Sequence, residues 1–319
     1  MTHVRTNQCL SKKVSAMTTR QSWTPNQNQP IDEHLRDLRL AELTTSFSSD
    51  DKTLWCWMNP HQRPCFTPTL LKEIDALQRF ITNRVDEATT PIEYLVLGSS
   101  VPGVFNLGGD LVFFAETIKK RDRAALQHYA RACVVVGYTN HMGYNNKVTS
   151  IALLEGDALG GGFECALSCD ILIAERHVKF MLPEILFNLF PGMGAYSFLS
   201  RRIGAHKTED MMKSGRSYSA EEMLEIGVID YVVETATGRE SVSELITQQA
   251  RRRGVMSALY QIRRRVNGVS LSEMNDITDL WVDTAMSLTD ADLRKMCHLA
   301  AAQDRLRARS SQQLVVDRV

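Results

Sequence analysis

Two glycine-rich turns and two glutamates are the residues best suited to chemistry in this 319-residue chain. One turn reads NLGGD and contains Gly108 and Gly109, and the other reads DALGGGFE and contains Gly160 to Gly162. Each turn stands between a strand-like apolar run and a helix-like run. Glycine lets a ligand approach the backbone closely, and the first N–H groups of a helix have no partner within it. Both turns can therefore offer free amides to an anion.

Three interpretations of these turns are open. A nucleotide-phosphate cradle is disfavoured, because the chain contains neither GxGxxG nor GxxxxGK[ST]. The glycines can also serve only to let a helix pack tightly against a strand. In the third interpretation, amides from the two turns converge on one developing negative oxygen and form an oxyanion hole.

Glu164 and Glu184 favour the third interpretation. Glu164 follows the glycine triplet within one helical turn, and Glu184 follows Pro183 at the end of a predicted strand. If an apolar pocket separates their pKa values, one glutamate can act as a base and the other as an acid. The alternative is that both are solvated turn residues. Apolar neighbours argue against that alternative: Phe163, Leu182, Ile185 and Leu186.

The elements that must position these residues alternate between strands and helices, which predicts an α/β fold. EYLVLGS, VTSIALLEG, DILIAE and VKFMLPE read as strands, and FTPTLLKEIDALQRFITNRV reads as a helix with Thr69 as a possible cap. Beyond about residue 240 only helical periodicity remains. We expect a loose polar tail at residues 1–30, a core at 31–240 and a helical region at 241–319.

Composition narrows the class of protein. Lys plus Arg and Asp plus Glu number 37 each, so no overall charge favours nucleic acid or an anionic membrane surface. The seven cysteines show no CxxC spacing, which argues against a disulfide framework and against a zinc site. No apolar run is long enough to insert into a membrane. These features predict a cytoplasmic protein without a metal centre.

The ordered segments VFNLGGDL, EGDALGGGFECALSCDILIAE, LPEILFNLFPGMGAYSFLSRRIG and GRSYSAEEMLEIGVIDYVVE resemble the crotonase (enoyl-CoA hydratase/isomerase) superfamily from about residue 50 to 300. The details GDALGGGFE and LFNLFPGMGAYSFLSRR are most similar to its diffusible-signal-factor synthase branch. The resemblance implies a spiral of ββα units and a C-terminal helical region that mediates trimer formation, as a homotrimer or a dimer of trimers. It also implies a cofactor-free enzyme.

The resemblance also implies roles for particular residues. The amides of Gly109, after Gly108, and of Gly161 correspond to the oxyanion donors, and Glu164 and Glu184 correspond to the catalytic acids. The branch dehydrates 3-hydroxyacyl-acyl carrier protein and then hydrolyses the thioester, releasing a cis-2-unsaturated fatty acid used as a quorum-sensing signal. The rival functions are an enoyl-CoA hydratase acting on a CoA thioester and a non-catalytic module that binds a signalling partner such as a regulatory sensor protein.

Further residues have a functional and an ordinary interpretation. Trp281 and Leu299 correspond to the acyl-chain pocket of the branch, although a Trp on a helical stripe is more often plain core. The arginine runs 251–253 and 263–265 can meet an acidic carrier protein or the phosphate of a phosphopantetheine group, or can be solvated helix faces. Histidines 141 and 177 lack partner spacing, so a structural or surface role is expected for both. Cysteines 165 and 169 are expected to be buried small residues.

Overall fold

The computed structural model describes residues 31–86 and 92–316, and its strands form two sheets. The predicted tail at residues 1–30 lies outside the described residues. The larger sheet has the order β1-β2-β3-β5-β7-β10, in which only β1 is antiparallel to its neighbour. Its strands are β1 Leu43–Ser48, β2 Thr53–Met58, β3 Tyr94–Ser99, β5 Thr149–Leu154, β7 Ile171–Glu175 and β10 Tyr231–Val233.

The smaller sheet explains how the chain spirals. Its order is β4-β6-β8-β9, with strands β4 Gly103–Asn106, β6 Gly156–Leu159, β8 Lys179–Met181 and β9 Ser217–Ser219. Three times, a strand of the larger sheet leads into a strand of the smaller sheet and then into a helical segment. These segments are α3 Leu111–Lys119, α6 Gly161–Leu167 and a 3₁₀ turn at Pro183–Phe187. The repeat is the ββα spiral that the resemblance implied.

The central strands are buried on both faces, as their unbroken apolar runs predicted. In β5, Ile151 to Leu154 are all fully buried, and burial of each large aliphatic side chain contributes about 1.5 to 3 kcal/mol. One face of the sheet packs into the main core, and the other packs against Val242 and Ile246 of helix α10 (Gly238–Ala250). The sheet is therefore covered on both sides.

The remaining helices surround the sheets. They are α1 Ile31–Asp37, α2 Pro68–Asp86, α4 Arg123–His141, α5 Gly143–Asn146, α7 Ala195–Ile203, α8 Ala205–Ser214, α9 Ala220–Glu225, α11 Arg253–Val266, α12 Leu271–Met286 and α13 Asp290–Val316. Helix α12 packs on α4, and α13 packs on α3, so the C-terminal helices cover the ends of the ββα units. None of the helices in residues 31–86 and 92–316 is long and apolar enough to span a bilayer.

The expected cap of α2 is wrong by two residues. The helix begins at Pro68, and the Thr67 hydroxyl accepts the N–H of Leu70 at 2.9 Å. Thr69 therefore lies inside the first turn. Proline is favoured at the first helical position because its fixed φ suits a helix and its missing N–H would have no partner there.

Candidate active site

The two glycine turns meet backbone against backbone. Gly108 has φ +94°, and a Cβ built on it would lie 2.8 Å from the nitrogen of Gly161. A Cβ built on Gly161 would lie 3.4 Å from the nitrogen of Gly109. Neither the Gly109 nor the Gly161 amide donates a hydrogen bond to another described residue. Two unpaired N–H groups from separate turns therefore lie side by side.

Each flanking glycine of the triplet is required for a different reason. Gly160 has φ +50°, a region that favours glycine, and a Cβ there would lie 2.6 Å from Oε1 of Glu184. A Cβ on Gly162 would lie 2.0 Å from the carbonyl oxygen of Asn106. The triplet thus allows close packing and also exposes an amide, so these two interpretations are compatible.

Two side chains and one backbone N–H, from three parts of the chain, hold the first turn. The Asn106 Oδ1 accepts the Gly108 N–H at 2.8 Å, and Gln303 Nε2 of α13 donates to the Leu107 carbonyl at 3.1 Å. The Phe66 N–H donates to the Gly108 carbonyl at 2.8 Å. Sequence reasoning missed these residues. An Asn two residues before a glycine is a recognisable signal for a local turn, but nothing in the local sequence marks Gln303.

Glu164 is fixed by the loop that precedes α7. Its side chain is only 4% exposed, and its Oε1 accepts the N–H groups of Met193 and Ala195, each at 2.9 Å. Burial raises the pKa of Glu164 to about 7, although the two hydrogen bonds act in the opposite direction. The sequence indicated a glycine-punctuated turn here, but it did not indicate that the turn holds the carboxylate.

Glu184 lies on the 3₁₀ turn Pro183–Phe187, directly after β8. The residue is half-buried, yet its Oε2 is shielded from solvent and has no partner among the described residues. Burial, followed by the nearby charge of Glu164, raises the pKa of Glu184 to about 8. Two carboxyl groups that repel each other in this way titrate as a pair and hold one proton between them over a range of pH.

One cavity brings the predicted residues together. It encloses about 830 Å³ of space, part of it open to solvent. Its lining includes Gly109, Gly161, Glu164, Glu184, Trp281, Leu299 and Gln303. Gly108 lies behind the lining and positions the turn. Their catalytic and binding roles remain predictions.

A second cavity of about 370 Å³ adjoins the first. It shares Gly109, Gly161, Glu164 and Met193 with the first cavity, and its other walls come from α2, α4 and α6. The two amides and Glu164 therefore border both cavities.

The arginine runs lie elsewhere. Arg253 pairs with Glu93, directly before β3, and Arg263 pairs with Asp170, directly before β7. The glycine turns instead follow the carboxyl ends of β4 and β6. None of the arginines 251–253 and 263–265 lines either of the two cavities at Glu164, so a role in delivering a carrier-bound substrate has no support from the geometry.

The two histidines and two cysteines considered above have ordinary surroundings or lie away from the glutamates. His177 is largely exposed on the surface. His141 lines a different cavity, together with Cys169. Cys165 and Cys169 are buried thiols, and burial raises the pKa of each thiol. A buried, protonated thiol is a poor nucleophile, which agrees with the expected packing role.

Comparison with known proteins defines the class. The family model for enoyl-CoA hydratase/isomerase matches residues 58–278, and the chain therefore belongs to this family. Probable enoyl-CoA hydratase 2, mitochondrial, from Arabidopsis thaliana is 28% identical over 220 residues, covering 66% of this chain and 64% of the relative. A probable enoyl-CoA hydratase of Mycobacterium tuberculosis is 42% identical over 87 residues, covering 27% and 34%. The chain thus spans less than two thirds of the length of these curated relatives.

Solved structures agree with the fold. Pseudomonas aeruginosa DspI is 28% identical with a TM-score of 0.60, covering 71% of this chain and 80% of DspI. An enoyl-CoA hydratase from Bacillus halodurans has a TM-score of 0.68 at 21% identity, covering 81% and 100%. The second likeness shows the fold alone. The crotonase-type fold expected from the sequence is confirmed, whereas trimer formation stays a prediction.

Proposed function

We propose that this protein dehydrates 3-hydroxyacyl-acyl carrier protein and then hydrolyses the thioester, releasing a cis-2-unsaturated fatty acid, as a diffusible-signal-factor synthase does. One observation carries the proposal. Two unpaired amides and two carboxyl groups with raised pKa values border the same cavity. Buried acids with strongly shifted pKa values in a cavity are typical of catalytic sites and are not required of a binding module.

In the first step, the thioester oxygen accepts the N–H groups of Gly109 and Gly161. The ionised member of the glutamate pair removes a proton from C2, and the negative charge moves onto the thioester oxygen. The protonated member gives its proton to the 3-hydroxyl, which leaves as water while the C2–C3 double bond forms. The pair ends with one proton, as it began, so no outside acid or base is consumed.

In the second step, water attacks the thioester carbon. The ionised glutamate accepts a proton from this water as the new C–O bond forms, and the same two amides hold the tetrahedral oxygen. The C–S bond then breaks and the carrier thiol leaves with the proton. The products are the free enoic acid and the carrier thiol. One oxyanion hole serves both steps because both place negative charge on the same oxygen.

The nearest rival is an enoyl-CoA hydratase. The names of the curated relatives favour it. One observation favours the synthase instead. The chain is 28% and 26% identical to two DspI structures but 18 to 22% identical to several solved hydratases.

The test is a product analysis. Purified protein is incubated with 3-hydroxyacyl-acyl carrier proteins of several chain lengths, with the matching CoA thioesters in parallel, and products are separated by mass spectrometry. Free cis-2-enoic acid is expected. Rapid interconversion of enoyl and 3-hydroxyacyl thioesters without free acid would favour the hydratase. No turnover of any thioester, with partner capture that persists in a Glu164→Gln/Glu184→Gln protein, would favour a binding module.

We also infer a homo-oligomer, and one surface supports it. Helix α11 exposes four aliphatic side chains at spacings of four, three and four residues: Val255, Leu259, Ile262 and Val266. Such a stripe matches a helix packing seam. Leu259→Glu should lower the mass of the particle measured by light scattering. An unchanged mass in Leu259→Glu would show that this helix is not part of an interface between subunits.

A further inference from the structure

A separate cavity lies at the far ends of the two helical segments that hold Glu164. Helix α6 begins at Gly161 beside the glutamates, and α7 begins at Ala195, whose N–H holds Glu164. At their other ends the helices reach a cavity of about 410 Å³. It is lined by His141, Leu167, Cys169, Asp170, Phe198, Arg201, Arg202, Arg263, Arg264 and Asn267.

The lining of this cavity is strongly basic. Four guanidinium groups meet there, and Asp170 is the only carboxylate in the lining. Glu273 and Asp230 pair with Arg201 and Arg202 from outside the lining. Even with these two counted, four positive charges face three negative ones. An excess of positive charge in a partly enclosed space attracts anions.

Two buried hydrogen-bond donors of the lining residues lack acceptors among the described residues. Arg201 is occupied by Glu273 and by the carbonyls of Ser197 and Gly268. Arg263 donates to Asp170, and Arg264 donates to Asp170 and Asn146. The Nε of Arg264, however, is buried with no partner, and so is the Nε2 of His141. Buried polar groups are nearly always paired in folded proteins, so unpaired donors point to a missing acceptor.

The pKa of His141 is lowered by burial and by the positive charge of the cavity. Burial, together with the four arginines, lowers the pKa of His141 to about 4, so its imidazole is neutral near pH 7. A neutral imidazole with its proton on Nε2 can donate to an anion oxygen. No carboxylate competes for that nitrogen among the described residues.

We propose that this cavity is a binding site for a small oxyanion of the phosphate class, held by Arg263, Arg264 and His141. Phosphate oxygens accept charge-assisted hydrogen bonds from guanidinium groups, and several oxygens can satisfy several donors at once. The volume admits inorganic phosphate or the phosphate group of a small monoester. The site is distinct from the glutamate cavity.

The anion cavity lies where a bound ion could affect the position of Glu164. Asp170 and Cys169 follow the C-terminal end of α6, and Arg201 and Arg202 lie in the last turn of α7. The seven residues of α6 span about 10 Å. Arg263 and Arg264 lie on α11 and His141 lies on α4, so an anion bound to them would join these two helices across the cavity that the ends of α6 and α7 also line. Contact with this ordered anion would steady both helix ends and, through them, the hold on Glu164. Binding should therefore raise thermal stability and support turnover.

The test titrates the full-length protein with inorganic phosphate, sulfate and adenosine monophosphate by calorimetry, at ionic strength fixed with chloride. Saturable binding is expected. Tighter binding of inorganic phosphate would identify the free ion as the ligand, and tighter binding of adenosine monophosphate would identify a phosphate monoester. Arg263→Gln should weaken binding about tenfold or more through loss of a charged donor. Arg265→Gln removes the same charge from an exposed position on the same helix and should leave binding within about twofold.

A second variant distinguishes a loss of phosphate binding from a loss of folding. His141→Leu keeps all four arginines and should also weaken phosphate binding, with circular dichroism showing an intact fold. An absence of saturable binding in the wild type would overturn the proposal and leave water as the occupant. Equal losses in Arg263→Gln and Arg265→Gln would also overturn it, because they would show a diffuse charge effect.

Discussion

The segments that carry the two glutamates differ in how firmly they hold them. Glu164 stands on α6, is almost completely buried and is tied by two main-chain N–H groups. Glu184 stands on a 3₁₀ turn, is half-buried and has one shielded oxygen without a partner among the described residues. A carboxylate fixed by two amides keeps its position, whereas one with a free oxygen can reorient. The pair thus combines one rigid group with one adaptable group.

This difference suits a reaction with two steps. The amide pair must receive the same oxygen in both steps, while proton transfers occur at C2, at the 3-hydroxyl and at water. A fixed carboxylate cannot reach all three positions equally well. In the proposed reaction, Glu184 would supply the extra reach, since its Oε2 has no partner among the described residues to hold it.

Removing either carboxylate should have the largest effect. Glu164→Gln and Glu184→Gln should each lower kcat for dehydration about 10²- to 10⁴-fold, because general acid and base groups contribute that much. Exchange of C2 hydrogen for deuterium in an acyl thioester that lacks the 3-hydroxyl identifies the base, since only that variant should lose exchange. Unchanged turnover in both variants would contradict a catalytic role for this pair.

Alanine substitutions in the glycine triplet test the oxyanion turn and the Glu184 segment separately. Gly162→Ala forces the Asn106 carbonyl away and should disrupt the oxyanion turn, which costs about 2.7 to 4 kcal/mol of barrier per lost donor. Gly160→Ala pushes on the flexible end of Glu184 and strains a backbone with φ +50°, but it leaves the Asn106 carbonyl in place and should have a smaller effect. The Gly254→Ala control meets no atom within 4 Å. A larger loss for Gly160→Ala than for Gly162→Ala would reverse the ranking.

The pH dependence of activity should report the shared proton. Dehydration needs one ionised and one protonated glutamate, so kcat/KM should be bell-shaped, with limbs set by the raised pKa values of the pair. Activity falls at low pH as both groups are protonated and at high pH as both ionise. Glu184→Gln should remove one limb of its residual profile. A flat wild-type profile from pH 6 to 9 would show that the pair does not titrate.

Burial of the Glu184 carboxyl should also have a smaller effect, on the free energy of unfolding. The folded-state pKa of Glu184 is raised, so the folded state binds more protons than the unfolded state between the two pKa values. This contribution is fully present below the unfolded pKa of about 4.3 and is lost as pH rises through the folded pKa. Wild type should therefore lose stability relative to Glu184→Gln between pH 5 and 9, measured by denaturant unfolding. Parallel curves for the two proteins would contradict the burial of this carboxyl.

The two sheets differ in how well the sequence predicts them. Apolar runs indicated β3, β5 and β7, because strands buried on both faces need unbroken apolar residues. The short strands β4, β6, β8 and β9 were harder, and only β8 was predicted, because these strands carry few large apolar residues. Glu164 and Glu184 could be proposed from their neighbours and from family resemblance.

The supports of the site could not be predicted in the same way. The hold on Glu164 depends on main-chain N–H groups of Met193 and Ala195, and every residue type except proline offers one. The bond from Gln303 joins residues 196 positions apart, so it depends on how α13 packs over the core. Such contacts arise from tertiary packing, which local periodicity does not encode.

Both steps of the proposed reaction require the amides of Gly109 and Gly161 to receive one thioester oxygen. Infrared difference spectra of a bound thioester with a ¹³C-labelled carbonyl test this requirement most directly. The carbonyl stretch should shift to lower frequency in the wild type, keep that shift in Glu164→Gln and lose most of it in Gly162→Ala. An unshifted carbonyl in the wild type at saturating ligand would contradict an oxyanion hole at these two amides.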